Sequence, residues 1–167
     1  MKRRMGSVVA VMVGSLALFP ALAHGAAATR AVTFHATYKG TLTTGNGGGI
    51  RRGTGQASQL GKSRLYARDL QSGHYGGAGV GAVEGEGKLT AKGGSVLRYA
   101  YVTEFHIDGK TPSQGYYVFE GGTGRFSGAS GTGSLRETPT GPAPSNPSPT
   151  ELTQVTLVFQ GTLNLVK

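Results

Sequence analysis

Side chains that could carry acid–base chemistry are few in this sequence, and cysteine is absent. Acid–base catalysis requires a carboxylate whose pKa is shifted by its surroundings, most often by burial. Glu104 and Glu120 are the better candidates because each lies in an otherwise apolar run. Glu84 and Glu86 alternate along one strand, which is typical of a solvated face. Glu104 and Glu120 are therefore the two catalytic candidates, although exposed glutamates on strands are the commoner case.

The spacing of the histidines does not indicate a metal site. The four histidines are His24, His35, His74 and His106, and none is spaced from another histidine or a carboxylate as metal ligands usually are. His35 and His106 fall on the polar registers of their runs, so we expect both to face solvent. The sequence predicts no metal site and no cofactor.

The elements that would position these residues are strands. From Val32 to Leu42 apolar and polar residues alternate, which is the period of a half-buried strand. About eight such runs and no convincing helix beyond the N-terminal segment predict an all-β domain, closed into an antiparallel barrel or paired into a sandwich. The other predicted strands are Thr54–Leu60, Ser63–Leu70, Val80–Thr90, Val96–Ile107, Gln114–Glu120, Ser127–Leu135 and Val155–Leu165.

Glycine is unusually frequent, with 30 residues, and it has no collagen-like period. Between Gly79 and Gly87 glycine occupies every second position except Val83. A strand face with almost no side-chain volume suits a wall that a neighbouring side chain or the opposite wall approaches closely.

Aromatic residues recur on the strands that would line or plug a barrel. They are mostly core in this interpretation, but an incompletely filled interior would turn them into an apolar cavity for a small hydrophobic ligand. The predicted ligand-binding residues are Tyr99, Tyr101, Phe105, Tyr116, Phe119 and Phe159.

The amino terminus has the three zones of a secretory signal peptide: a basic start, an apolar run from Val8 to Phe19, and small residues before Ala23. We predict a signal peptide at 1–23, a linker at 24–31 and a barrel domain at 32–167. Cleavage at Ala26 to Ala28 is the later option. An uncleaved anchor would need about 20 apolar residues, more than this run supplies. The protein is expected in the periplasm or outside the cell, without a membrane span after processing; general secretion and twin-arginine export both stay open.

Two further features concern the domain's surface. Five prolines among small polar residues predict an extended loop at 139–149. Removing Lys2, Arg3 and Arg4 with the signal lowers the formal net charge from +9 to +6. The remaining basic residues are scattered along the chain, so no stripe suited to a phosphate backbone is evident, and weak adhesion to anionic polymers is expected instead of specific nucleic-acid binding.

One segment carries a specific motif. The stretch from Tyr117 to Leu135 reads YVFEGGTGRFSGASGTGSL. It resembles the GGTG-aromatic-x-G-x-x-G signature of dirigent proteins, allene oxide cyclases and exported bacterial proteins of the same barrel type. Looser similarity extends to 53–65, 85–97 and 159–163. The matching residues are Gly121, Gly122, Gly124, Phe126, Gly128 and Gly131.

The resemblance implies an eight-stranded antiparallel, calycin- or dirigent-like barrel with a central cavity, often trimeric in the plant relatives. The residues of the motif also have a structural interpretation: Gly121, Gly122 and Gly124 permit a tight turn, Phe126 plugs one barrel end, and Gly128 lets the chain pass close to it. Cyclase activity is not implied, because the first strand offers only His35, Thr37 and Lys39 where the cyclases have a carboxylate.

Three functions follow as hypotheses. The first is a secreted, non-catalytic barrel that binds a small hydrophobic ligand or associates with the cell envelope. The second is a cavity isomerase like the allene oxide cyclases or dirigent proteins, using Glu104 or Glu120. The third is a self-associating matrix protein, and a homo-oligomer is left open.

Overall fold

The computed structural model describes residues 28–45, 48–74, 79–106, 108, 110–141 and 152–167. The predicted signal peptide, the first part of the linker and most of the proline-rich loop lie outside the described residues, as do His24 and the side chain of His74. In the described part of the chain no helix has the length and apolar character needed to cross a bilayer.

Eight antiparallel strands form a closed barrel in which each strand pairs with its neighbours in sequence and β1 also pairs with β8. This confirms the predicted all-β barrel. The strands are β1 (Thr29–Gly45), β2 (Gly48–Ala57), β3 (Gly61–His74), β4 (Val80–Ala91), β5 (Val96–His106), β6 (Ser113–Gly122), β7 (Ser130–Pro139) and β8 (Leu152–Val166).

Strand alternation sets the core. Phe34, Ala36 and Tyr38 are fully buried in β1, as are Leu157 and Phe159 in β8, while the residues between them are more exposed. The even residues of β1 and the odd residues of the other strands thus face inward, as a period of two requires. The interior is filled by aromatic and aliphatic side chains in contact, and its largest fully buried members are Tyr38, Tyr99, Tyr117, Phe34, Phe126 and Phe159.

Several strand boundaries differ from the prediction, among them those of β2 and β7. Strand β2 begins at Gly48 instead of Thr54, because Gly48 and Gly49 pair with the end of β1 through backbone groups and need no side chains to do so. Strand β7 begins at Ser130, after a 3-10 turn at Gly124–Phe126, and it runs on to Pro139. Proline is tolerated there because it is the last residue of the strand.

The glycines of β4 make room for aromatic rings of β5. Gly85 pairs with Tyr101 and Gly87 pairs with Tyr99. A Cβ added at either glycine would overlap the paired ring. The expectation that a neighbouring side chain approaches this bare strand face is confirmed, and it explains why Gly85 and Gly87 cannot be replaced by larger residues.

The glycine motif closes one end of the barrel. Gly121, Gly124 and Gly128 have positive φ angles of 88°, 60° and 69°, which only glycine adopts readily. Gly122 has no positive φ, but a Cβ there would overlap a carbonyl oxygen of β5. Phe126 is 0% exposed, in agreement with its predicted role as a plug. We call this the motif end; the opposite end, where β1 leads into β2, β3 into β4, β5 into β6 and β7 into β8, is the mouth.

Candidate functional site

A cluster of charged and phenolic side chains lies inside the barrel near the mouth. Arg51 is only 7% exposed, and its Nε donates to Glu137 Oε2 at 2.5 Å. Its Nη1 donates to Asp69 Oδ1 at 2.5 Å and to the hydroxyl oxygen of Tyr101 at 3.1 Å. Tyr101 in turn donates its hydroxyl proton to Asp69 Oδ1 at 2.6 Å. We call these four residues the mouth cluster.

Four strands bring the mouth cluster together. Arg51 lies in β2, Asp69 in β3, Tyr101 in β5 and Glu137 in β7, each on the inward register of its strand. The pairing of β3 with β4 shifts by one residue directly after Asp69, so Asp69 is the last inward position before the irregularity. The backbone N–H of Gly49 donates to Asp69 Oδ2 at 2.8 Å and fixes the second carboxylate oxygen.

The electrostatics of the cluster keep the guanidinium charged and the phenol neutral. Burial alone lowers the pKa of a guanidinium, but the charges of Glu137 and Asp69 outweigh this and raise the pKa of Arg51 above its ordinary value. Burial raises the pKa of Tyr101, Arg51 opposes that rise, and the hydrogen bond to Asp69 adds to it. With one guanidinium and two carboxylates, the cluster has a formal net charge of −1.

Arg51, Asp69 and Glu137 of the cluster line a cavity at the mouth, and Tyr101 is hydrogen-bonded to two of them. The cavity has a volume of about 350 Å³. Its lining combines apolar residues with hydroxyl groups: Leu42, Val83, Phe105 and Val155 on one hand, and Thr44, Ser72, Thr111, Ser113 and Thr153 on the other, with His106 at the edge.

Three members of the mouth cluster, Arg51, Asp69 and Glu137, line this space. Asp69 and Glu137 accept hydrogen bonds from Arg51. The lining therefore combines a cationic donor with carboxylate acceptors, which suits a ligand group that can both accept and donate, such as a hydroxyl.

The aromatic residues predicted to line a ligand cavity fall in three places. Tyr99, Phe119 and Phe159 are buried and pack in the central aromatic core, where Tyr99 and Phe159 make an edge-to-face contact at 5.3 Å. Phe105 forms part of the lining of the mouth cavity, and Tyr101 contacts Arg51, which also lines it. The predicted interior position is wrong for Tyr116, which is 71% exposed on the outer face because it occupies an even position of β6.

The two catalytic candidates lie on the outside of the barrel. Glu104 and Glu120 are exposed, so the burial on which their candidacy depended is not present. Glu104 has a half-exposed carboxylate 3.8 Å from His106 Nε2. His35 is exposed as expected, whereas His106 is only partly exposed and borders the mouth cavity. In the described residues no group of three or more His, Asp or Glu side chains is placed to hold a metal ion.

Sequence reasoning missed Arg51, Asp69 and Glu137, although a signal was present for each. Asp69 continues the inward register of Leu65 and Ala67, and Arg51 continues that of Ala57 through the glycines of β2. Glu137 follows Leu135 by two residues, beyond the point where the predicted strand ended. In each case the signal was a charged residue that continues the inward register of its strand.

Comparison of the chain with protein-family models, with curated proteins and with solved structures finds no match.

Proposed function

We propose that this chain is an exported binding protein whose mouth cavity takes a small molecule with an apolar body and a hydroxyl head. The observation that carries the proposal is the mouth cluster of Arg51, Asp69, Tyr101 and Glu137, whose three ionic side chains line the mouth cavity. Buried ion pairs rarely add to stability compared with apolar residues of the same shape. A ligand-binding role gives a reason for such a cluster in an otherwise apolar barrel.

The dimensions and chemistry of the cavity suit a ligand of one or two rings. A volume of about 350 Å³ lies near the lower end of small-molecule sites. Val83, Phe105 and Val155 would cover the apolar body. The hydroxyl head would meet the ionic side chains of Arg51, Asp69 and Glu137 in the lining.

The proposal moves the contact surface for the ligand from the centre of the barrel to its mouth. Tyr99, Phe119 and Phe159 pack within the core, so the proposal gives them a structural role. Among the predicted aromatic contacts it retains Phe105 as part of the wall, and it gives Tyr101 the role of holding Arg51 and Asp69 in place.

Binding of the fluorescent phenol naphthol tests this function. We expect saturable binding of naphthol that is at least about tenfold tighter than binding of naphthalene, because only the phenol can hydrogen-bond to the charged side chains of the lining. Thr153→Phe should block the cavity, while Thr162→Phe, on the exposed face of the same strand, should leave binding unchanged. Equal affinity for the two compounds, or equal binding by both variants, would refute the proposal.

Export is a separate part of the proposal with its own test. It is supported by the three zones of the N-terminal sequence. Protein recovered from a secreting bacterial host should begin at His24, or a few residues later. Recovery of the unprocessed chain in the cytoplasm would contradict export.

A cavity isomerase is the second candidate, favoured by the 2.6 Å hydrogen bond from the Tyr101 phenol to Asp69. Since Glu104 and Glu120 are on the outer face, proton transfer would fall to Asp69, Glu137 and Tyr101. Candidate hydroxylated ligands should then be turned over, with Tyr101→Phe reducing the rate by about a hundredfold without weakening binding. Binding of these ligands without any conversion would exclude the isomerase and leave the binding-protein function as the remaining proposal.

The matrix-protein hypothesis makes the opposite prediction about assembly. Sedimentation at increasing concentration separates the two, because a ligand-binding barrel keeps a defined size while a self-associating protein grows without limit.

A further inference from the structure

Folding gathers the scattered basic residues onto one outer face of the barrel. On β1 to β5 the exposed, outward positions include Lys39, Arg52, Lys62, Arg64, Lys88 and Arg98. No two of these residues are adjacent in the sequence, which is why no stripe was expected. Antiparallel pairing brings them into register, and we call this surface the basic face.

Two cross-strand rows organise the basic face. In the first, Arg52 is opposite Tyr66, Tyr66 is opposite Lys88, and Lys88 is opposite Arg98. Adjacent strands lie about 4.8 Å apart, so the charges repeat at short intervals across the sheet.

The second row runs beside the first. Lys39 is opposite Thr54, Thr54 is opposite Arg64, and Arg64 is opposite Thr90. Cations and threonine hydroxyls therefore alternate across this part of the face.

The charges of the basic face are not neutralised within the described structure. Its residues make no ion pair there, whereas the neighbouring Arg68 is bound by Glu86 at 2.7 Å. Glu86 and Glu120 border a depression that also includes Lys88 and Arg98, which limits the face on that side. The direct opposition of Lys88 and Arg98 disfavours folding, since like charges paired across strands repel.

Two adjoining grooves give the face a shape that a chain molecule could follow. Their volumes are about 790 and 700 Å³, and they share Lys39, Thr54, Arg64 and Thr90 in their linings. Threonine hydroxyls thus lie between the cationic side chains, where they can bond to the hydroxyls of a bound polymer.

The aromatic residue of the face distinguishes between classes of polyanion. The Tyr66 ring lies 5.5 Å from the Arg52 guanidinium carbon and 5.6 Å from Lys88 Nζ, so two cations already contact it. Single-stranded nucleic acids are usually bound by stacking bases on open aromatic rings. A groove of cations and hydroxyls without an open ring fits carboxylated or sulfated sugars better.

From this arrangement we infer that the basic face binds an anionic polysaccharide. The site is separate from the mouth cavity and does not depend on the ligand proposed there. Extracytoplasmic glycans are the polyanions that an exported protein would meet.

The test measures binding to heparin as the probe polysaccharide. The variant Lys39→Gln/Arg64→Gln/Lys88→Gln should bind at least about tenfold more weakly and elute at lower salt. The control Arg30→Gln/Lys110→Gln/Arg136→Gln removes the same charge from exposed positions outside the face and should bind like the parent. Unaltered circular dichroism spectra would show that both variants remain folded.

The outcomes separate the inference from its alternatives. An equal loss in the two variants would show non-specific attraction and overturn the inference. Tighter binding to single-stranded DNA or to anionic phospholipid vesicles than to heparin, at equal salt, would also overturn it by assigning the face to another class of partner.

Discussion

Replacing Arg51 with methionine removes the cation that two interior carboxylates share. Methionine fills a similar volume, but Asp69 and Glu137 lose their hydrogen bonds at 2.5 Å and remain as like charges in the barrel. Breaking a buried ion pair from one side costs about 3 to 5 kcal/mol. Because both carboxylates depend on one guanidinium, we expect a loss of about 5 kcal/mol in the free energy of unfolding, a large share of the stability of a small domain.

Urea unfolding measures this loss, with a constant m-value as the sign that only stability has changed. Arg68→Met is the matched control: its ion pair with Glu86 is exposed, so a loss below about 1 kcal/mol is expected. Arg51→Met combined with Asp69→Asn and Glu137→Gln should recover most of the stability, because no unpaired charge is left.

The triple variant also covers the case in which Arg51→Met alone does not fold, because the triple variant should still fold. A loss below about 1 kcal/mol for Arg51→Met would refute the reasoning, since exposed pairs behave in that way. A triple variant as unstable as the single one would refute it equally, by showing that packing and not charge is at stake.

Three further predictions concern the barrel wall and core. Gly85→Ala should destabilise the fold by about 2 to 4 kcal/mol, because the new Cβ would overlap the Tyr101 ring. Gly73→Ala is the control, and it should change the urea midpoint little because Gly73 has open space around it. Tyr117→Phe should leave the free energy of unfolding unchanged or raise it, since it removes an enclosed hydroxyl without a partner in the described structure. Tyr38→Phe should lower that free energy by about 1 kcal/mol, because it breaks a 2.8 Å hydrogen bond. The reverse order of the two unfolding midpoints would contradict this. Burial raises the pKa of both Tyr38 and Tyr117 from 10.0 to about 12, so their stabilising contribution is complete below pH 10 and is lost as the pH rises toward 12. Tyrosinate absorbance should show ionisation of these two residues together with unfolding in that interval, and their ionisation near pH 10 in the folded protein would contradict their burial.

The sequence contains enough information to predict the barrel because side-chain alternation and glycine placement are local. The inward series of β1 and the bare face of β4 could be recognised residue by residue, and both are present in the structure. The structural role of the glycine motif could likewise be predicted, since the turn geometry at Gly121 and Gly124 is local to the chain.

The mouth cluster could not be assembled in the same way. Arg51 and Glu137 are 86 residues apart in the chain, and their contact depends on how far each strand is shifted around the closed barrel. Glutamates in apolar runs were a misleading signal, since Glu104 faces outward while its neighbours Thr103 and Phe105 face inward. The basic face was missed for the same reason, because strand register alone brings its charges together.

Isotope-edited NMR of the arginine side chains tests the central claim most directly. If Arg51 is held inside the barrel by Asp69 and Glu137 and faces the bound head group, its Nε–H resonance exchanges slowly with water and shifts as naphthol is added. Rapid exchange of every arginine Nε–H, or a protected Arg51 resonance that naphthol leaves unmoved while binding elsewhere, would contradict the account.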